Sequence, residues 1–527
     1  MKILISQLDS HIGNFEKNYQ KIMDASLQAA EEKADLIIFP ELFLTGYPPM
    51  DLLDKPFFWD VNEEYVQKLL KNLPKEIGVI FGSIRKPHFN TAYFIYQGKM
   101  LYQDKTLLPT YDVFDEDRYF FPADQWNTID FKGKKLFLTV CEDIWDGYAF
   151  NPHEKVGAID LLINISASPF ELHKLNKRIS LVKKIVGEKN CPALYVNMVG
   201  GNDELIFDGG SFAMEKDGTL SLLAEQFQED FKVYEFESKK SSLSYQEDPY
   251  QELEEALVLG IKDYFAKTGF KKAVLGISGG IDSALVCALA VKALGKENVM
   301  GILMPGPYST DHSITDAKAL ADKLGIQSIV IPIKNAYHTM IDTLDPVLKG
   351  TAFDVTEENI QSRLRGVIIM AYSNKMRALA LNTGNKSEFS TGYCTLYGDM
   401  AGALAVIGDI YKTQVYELSR HLNKNGEIIP VNSIVKPPSA ELRENQVDQD
   451  SLPPYDVLDR ILYLYLEENY SAAKIAETEK FNLELVNSVF HKIHISEYKR
   501  RQAPIVLKVS HKAFGSGRRI PVSNGFK

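Results

Sequence analysis

Three residues in the first half of the chain could together cleave an amide. Cys141 follows the apolar run 135–140, Glu41 follows the run 35–39 and Pro40, and Lys105 follows residues 100–104. A sulfur nucleophile, a carboxylate to take its proton and an ammonium to steady a developing oxyanion are complementary parts of an acyl-transfer site. Singly, each has an ordinary structural reading at a strand end; together they could converge on one pocket. The second half carries a different chemistry. Ser278-Gly279-Gly280-Ile281-Asp282-Ser283 lies between the apolar run 273–277, which includes Gly276, and a stretch over 283–294 with almost no polar face. A Gly-Gly turn there lets backbone N–H groups converge on an anion at the positive end of a helix. Asp282 would repel a phosphate unless Mg²⁺ lay between them, so the loop reads as a nucleotide-phosphate loop that works with a metal.

Elements must exist to hold these residues. Strand-like runs occur at 2–8, 35–39, 78–84, 92–96, 100–104, 135–140, 160–165 and 193–198, with helical spacing over 15–33. Gln97-Gly98 and Lys216-Asp217-Gly218 are hairpin signals. Mixed strands with helices between them predict a layered α/β sandwich. Between residues 237 and 249 the pattern dissolves into polar sequence, and helical spacing resumes at Leu253. Two domains are expected, 1–240 and 251–527, joined by a linker over 241–250. The second half then repeats strand, loop and helix, as in a doubly wound parallel sheet whose ligands bind at the carboxyl ends of the strands. Ser278–Ser283, the turn after 298–305, and Thr383-Gly384-Asn385 all fall there. There is no GxxxxGK[ST] and no GxGxxG at the strand end, which excludes a Walker loop and the dinucleotide-fold fingerprint.

Composition narrows the class. The 527 residues carry a formal net charge of −11, which argues against nucleic acid as partner. Four scattered cysteines show no metal-like spacing and suit reduced thiols in the cytoplasm. No apolar run reaches about 18 residues, so no membrane span is expected.

The segments around the first three residues, FPELFLTGYPP, YQDKTLLPTYDVFDEDRYF and VCEDIW, resemble the motifs of the nitrilase (carbon–nitrogen hydrolase) superfamily. Within it they are similar to the glutaminase domain of glutamine-dependent NAD⁺ synthetases, as are NISASPF and YVNMVGGNDELIFDGGSF. That resemblance implies an α-β-β-α sandwich, with Glu41 as general base, Lys105 as oxyanion support, Cys141 as nucleophile and Glu116 positioning them. It implies Tyr47, Tyr111, Glu142, Ser168 and Lys174 as glutamine contacts. Lys174 stands where an arginine is expected, and supplies the charge without a bidentate fork.

SGGIDS after an apolar strand resembles the loop of the ATP-pyrophosphatase family, and further segments resemble its NAD⁺ synthetase branch. For ATP this implies Gly276, Ser278, Gly279, Gly280, Asp282, Ser283, Thr383 and Lys412, with Ser439 in a mobile lid over 436–459. It implies Asp282 and Glu388 as Mg²⁺ ligands. Arg363, Glu388 and Asp399, with Lys499, Arg500 and His511 of the basic C-terminal stretch, are implied for nicotinic acid adenine dinucleotide (deamido-NAD⁺). The activity implied is ATP-dependent amidation of that dinucleotide with ammonia from glutamine, releasing AMP, pyrophosphate and glutamate; the alternative is a related amidotransferase with another acceptor. A homo-oligomer with dimeric synthetase domains is the implied assembly, and free ammonium is a second nitrogen source.

Overall fold

The computed structural model describes residues 1–238 and 240–525; Lys239, within the polar join, lies outside them. The chain forms two compact units, Met1–Asp248 and Pro249–Lys527. Residues 241–248 therefore go with the first unit, where the Leu243 amide donates to the Leu220 carbonyl. The second unit opens directly on the helix Pro249–Thr268.

The first unit contains two six-stranded sheets. One runs Asp230–Glu235, Lys2–Gln7, Leu36–Ile38, Gly78–Arg85, Phe89–Tyr96, Lys99–Asp104 in spatial order. The other runs Leu220–Leu223, Phe212–Met214, Ala193–Asn197, Leu161–Ser166, Lys134–Val140, Thr128–Phe131. In each, three neighbouring strands are parallel and the flanking pairs antiparallel. The near-continuous apolar runs follow from burial on both faces. Ile3, Ile5, Leu36 and Ile38 pack in one core with Leu136, Leu138, Leu161 and Ile163 of the other sheet. The alternate residues Leu4 and Ile37 face the helix side, where they join Ile22, Ala25 and Ala29 of the helix Phe15–Glu31. The helix Lys174–Lys189 covers the outer face of the second sheet. This is the α-β-β-α order predicted.

The second unit is built on an all-parallel sheet in the order Gln327–Val330, Val299–Leu303, Lys272–Gly276, Ala378–Asn382, Leu404–Ala405, Ile505–Val506. In chain order that is 3-2-1-4-5-6, so the topology switches between the first and fourth strands, where such sheets bind ligands. The helix Ile281–Leu294 is buried over nearly its whole surface, which explains its missing polar face. Three helices not read from the sequence, Tyr455–Leu466, Ala472–Glu479 and Leu483–Ile495, form a separate apolar cluster with Phe389 and Tyr411. The first of them corrects the expected lid: residues 455–459 are helical, because Leu458 enters that core and Asp459 is tied to Ser387 and to the Thr413 amide. Only 436–454 lacks longer regular structure.

Candidate active sites

In the first unit, the expected three strand ends do converge. Lys105 and Glu41 are almost wholly buried, and the Lys105 Nζ lies 2.9 Å from Glu41 Oε1 and 2.8 Å from Glu116 Oε2. Glu41 is held from two further sides: Asn90 Nδ2 donates to Oε1 at 2.7 Å and the Ala167 amide to Oε2 at 2.8 Å. Its loop presses so close to the strand Gly78–Arg85 that a Cβ on Gly82 would come within 2.5 Å of the Glu41 backbone. Burial works against the charge on Lys105, but Glu116 and Glu41 outweigh it and hold the group as an ammonium. Glu116 is pushed up to about 7, by burial first, with Lys105 opposing and Glu41 adding to the rise.

Cys141 begins the short 3₁₀ turn Cys141–Ile144 with a left-handed φ of 42°, on the edge of the core between the sheets. Burial, then the Glu41 carboxylate, push its thiol well above the usual range despite Lys105. Cys141 therefore rests as a neutral thiol, which could act as a nucleophile only by giving up its proton.

The five expected glutamine contacts surround this group unequally. Glu142 is buried, its carboxyl raised by burial, and accepts from Tyr111 Oη at 3.1 Å and Tyr148 Oη at 2.8 Å. Tyr47 donates to Glu116 Oε1 at 3.2 Å. Lys174 lies 3.9 Å from Glu171 and 5.7 Å from the Trp145 ring centroid, and its charge is felt by Glu142. Ser168 is set by Arg178, whose Nη2 reaches its carbonyl at 2.8 Å, while Nη1 contacts both oxygens of Asp208 at 2.9 and 2.8 Å. The sequence reading missed Asn90, Tyr148, Arg178 and Asp208. A signal existed for Arg178: it interrupts the buried stripe Leu175, Val182, Ile185 of its helix.

In the second unit, the strand ends open on a cleft of about 290 Å³. Gly276, Ser278, Gly280, Asp282 and Ser283 line it, and from the neighbouring strand so do Thr383 and Glu388. Asp399, Lys412 and Ser439 complete the expected set found there. Gly279 carries φ of 78° and packs against the Ser313 carbonyl, which a Cβ would meet at 2.3 Å, so the turn requires glycine. Ser283 Oγ caps the loop, bonding Ser278 and the Gly280 carbonyl. Lys412 Nζ contacts Asp282 Oδ2, and Asn385 Nδ2 donates to Oδ1 at 2.9 Å. Glu388 is raised well above the carboxylate range by burial and by the Asp282 charge beside it. Lys412 is held charged, against its burial, by Asp282 and Glu388.

Two crowded carboxylates next to phosphate-loop amides suit Mg²⁺, which takes one or two protein carboxylates and completes its shell with phosphates and water. No cluster of three or more His, Cys, Asp or Glu able to hold a metal occurs among the described residues.

Four expected dinucleotide residues are placed elsewhere. Arg363 is exposed and donates to the Leu396 carbonyl at 3.2 Å, outside the lining. Lys499 Nζ donates to the Gly392 and Cys394 carbonyls, both at 2.7 Å. Arg500 is buried in a knot with Glu497 and the Phe389 and Ser390 carbonyls. His511 is also not among the lining residues. Lys499 and Arg500 thus bond backbone carbonyls of the protein itself. Arg365, by contrast, was not singled out, yet lines the cleft with its Nε donating to the Met304 carbonyl at 3.1 Å.

Comparison with known proteins agrees with both halves. The carbon–nitrogen hydrolase model matches residues 2–240 and the NAD synthase model residues 253–503. Glutamine-dependent NAD(+) synthetases of Synechocystis sp. and Thermotoga maritima are 46% and 40% identical, over 99% and 100% of this chain and 99% of each relative. The structure of glutamine-dependent NAD+ synthetase from Acinetobacter baumannii, in complex with ADP, superposes with a TM-score of 0.78 at 37% identity, covering 100% of this chain and 99% of that one. With a two-unit match along its whole length, the chain belongs to the glutamine-dependent NAD⁺ synthetase family.

Proposed function

We propose the following division of labour for the family's reaction, in which NAD⁺ is made from deamido-NAD⁺ with glutamine as amide donor. The observation that supports it most directly is the coexistence, on one chain, of a dry Cys–Glu–Lys site and a cleft of carboxylates and lysine at a phosphate loop.

In the first unit the Cys141 thiol attacks the side-chain amide carbon of glutamine while Glu41 takes the thiol proton. Lys105 faces the developing oxyanion, and Glu116 and Tyr47 hold that lysine in place. Collapse of the tetrahedral adduct expels ammonia, to which Glu41 passes the proton, and leaves a thioester. Water activated by Glu41 then frees glutamate. Glu142, Tyr111, Ser168 and Lys174 receive the amino-acid end of glutamine, two opposite charges matching its ammonium and carboxylate.

In the second unit the pyridine carboxylate of deamido-NAD⁺ attacks the α-phosphorus of ATP, and the bond to the β-phosphate breaks. Ser278, Gly279, Gly280 and Ser283 cradle the phosphates, Thr383 and Gly276 border the adenosine, and Lys412 offsets charge on the departing pyrophosphate. Asp282 and Glu388 would hold Mg²⁺, which when bound supplies the positive charge that lets carboxylate and phosphate approach. Ser439 and the segment 436–454 close over the nucleotides, and Asp399 with Arg365 faces the dinucleotide. Ammonia then displaces AMP from the acyl carbon.

The four cysteines are unpaired, in keeping with a reducing cytoplasm, and no helix among the described residues is long and apolar enough to cross a membrane. A homo-oligomer pairing the synthetase units completes the reading. The test is Cys141→Ala assayed with each nitrogen source. Glutamine-dependent NAD⁺ formation is expected to vanish and ammonium-dependent formation to persist; loss of both would overturn the division of labour.

A further inference from the structure

The thiol and the ammonium of the first site come from different strand ends, and one buried side chain joins them. Asp143, two residues beyond the nucleophile, is almost fully buried. Its Oδ1 accepts from the amides of Thr106 and Leu107, at 2.9 and 2.8 Å, immediately after Lys105. Its Oδ2 accepts from the Val140 amide at 2.9 Å, immediately before Cys141. We propose that Asp143 is a positioning residue for amide hydrolysis, fixing the distance between the Cys141 nucleophile and the Lys105 ammonium.

The physical case has three parts. Cys141 sits at a left-handed φ of 42°, a conformation a side-chain-bearing residue holds only when its surroundings impose it. The Val140–Asp143 bond closes the turn that imposes it. The same carboxylate grips two consecutive amides of the other segment, and a bridge made of three charge-assisted bonds is stiffer than one made of neutral groups. Finally, only an ionised carboxylate can accept from all three without a donor of its own. Burial pushes Asp143 up to about 6 in spite of these amides, so it is ionised at neutral pH.

The inference rests on the roles proposed for Cys141 and Lys105, so the experiment includes both. Glutamate release from glutamine and ammonium-dependent NAD⁺ formation are measured for the full chain, for C141A and for D143N. Asparagine keeps the shape but turns a donor toward the Val140 amide. Small misplacements of reacting groups cost roughly 10²-fold. The expected result for D143N is therefore a ten- to hundredfold lower kcat for glutamate release. Its KM for glutamine should stay within threefold and its ammonium-dependent turnover should not change. Wild-type kcat in D143N, or a loss carried only by KM, would overturn the proposal while C141A remained inactive. Glutamate release that survived in C141A would instead overturn the underlying assignment. Should D143N fail to accumulate folded, D143E is read in the same way: it keeps the charge but is one methylene too long to hold all three amides, and the same kcat-specific loss is expected.

Discussion

The two sites solve opposite electrostatic problems. Each sets one lysine against two carboxylates, but in the first unit Lys105 contacts both, Glu41 and Glu116, and Glu41 is bonded again by Asn90 and the Ala167 amide. In the second unit the lysine's ion pair is with one of the two, Asp282. Asp282 and Glu388 crowd each other, both hold Lys412 charged, and Glu388 is driven far up the scale. The difference follows from the substrates. Glutamine presents a neutral amide to the hydrolytic centre, so the buried charges there must find their partners within the protein. ATP and a dinucleotide bring phosphates, and in the function proposed Asp282 and Glu388 would meet their counter-charge in the Mg²⁺ that accompanies them.

The largest effect that could break this contrast is expected at Lys412. Replacing it with methionine keeps the packing but removes the only side-chain cation in contact with Asp282 among the described residues. Loss of one such electrostatic stabiliser costs roughly 10²–10³ in rate. NAD⁺ formation should fall by that factor from glutamine and from ammonium alike, with glutamate release from glutamine largely retained. A parallel fall in glutamate release would mean that the two balances are not separate.

The contrast also explains what the sequence could disclose. Glu41 and Cys141 were readable because each follows an apolar run, and Lys105 because it closes a strand-like stretch, strand ends being where a sandwich places chemistry. Asp282 was readable because Ser278–Ser283 follows an apolar strand-like run and opens an apolar helical stretch. The residues that hold these groups in place are another matter. Asn90 lies inside a strand, and Tyr148 lies in a stretch without periodicity, so neither has a local pattern that tells of its partner. Arg500 misled for the converse reason: a cluster of basic residues looks like a phosphate site, but the buried Glu497 claims both Arg500 and Arg518. The helices of 455–495 were not read; their apolar faces pack on one another and on Ala405 and Val506 of the sheet's last two strands.

A second, smaller effect sharpens the comparison through pH. Glu116 lies at about 7, raised from the ordinary carboxylate value by burial, with Lys105 pulling it down and Glu41 pushing it up. A raised value means the group is protonated below neutrality, and there Lys105 loses one of its two counter-charges. Glutamate release should therefore drop about tenfold from pH 8 to pH 6, as one proton binds. In Glu116→Gln the plateau should be lower and this limb absent. Ammonium-dependent synthesis, compared at equal free-ammonia concentration, should lack the limb in both proteins. A limb of equal size in the variant would assign it to another group.

The smallest effect concerns closure of the second site, since a cleft completed by its substrates must also retain them. Glu441, in the segment proposed as lid, accepts from the Thr310 amide at 3.3 Å and from the Thr310 hydroxyl at 3.1 Å, and is bonded by the Ser313 hydroxyl. These groups form the start of the helix Asp311–Leu324, whose positive end favours a carboxylate. The segment is held a second time by Gln361, which donates to the Leu442 carbonyl at 2.8 Å. Because that second tie remains, Glu441→Gln should loosen the lid without freeing it. The charge and hydrogen-bond loss amounts to ~1 kcal/mol, or about fivefold in the closed-to-open ratio. KM for ATP is expected to rise by about that factor, with protease cutting within 436–454 faster and glutamate release unchanged. An unchanged KM with faster cutting would mean that the segment is anchored here without gating the nucleotide, and that the cleft is completed by its phosphates alone.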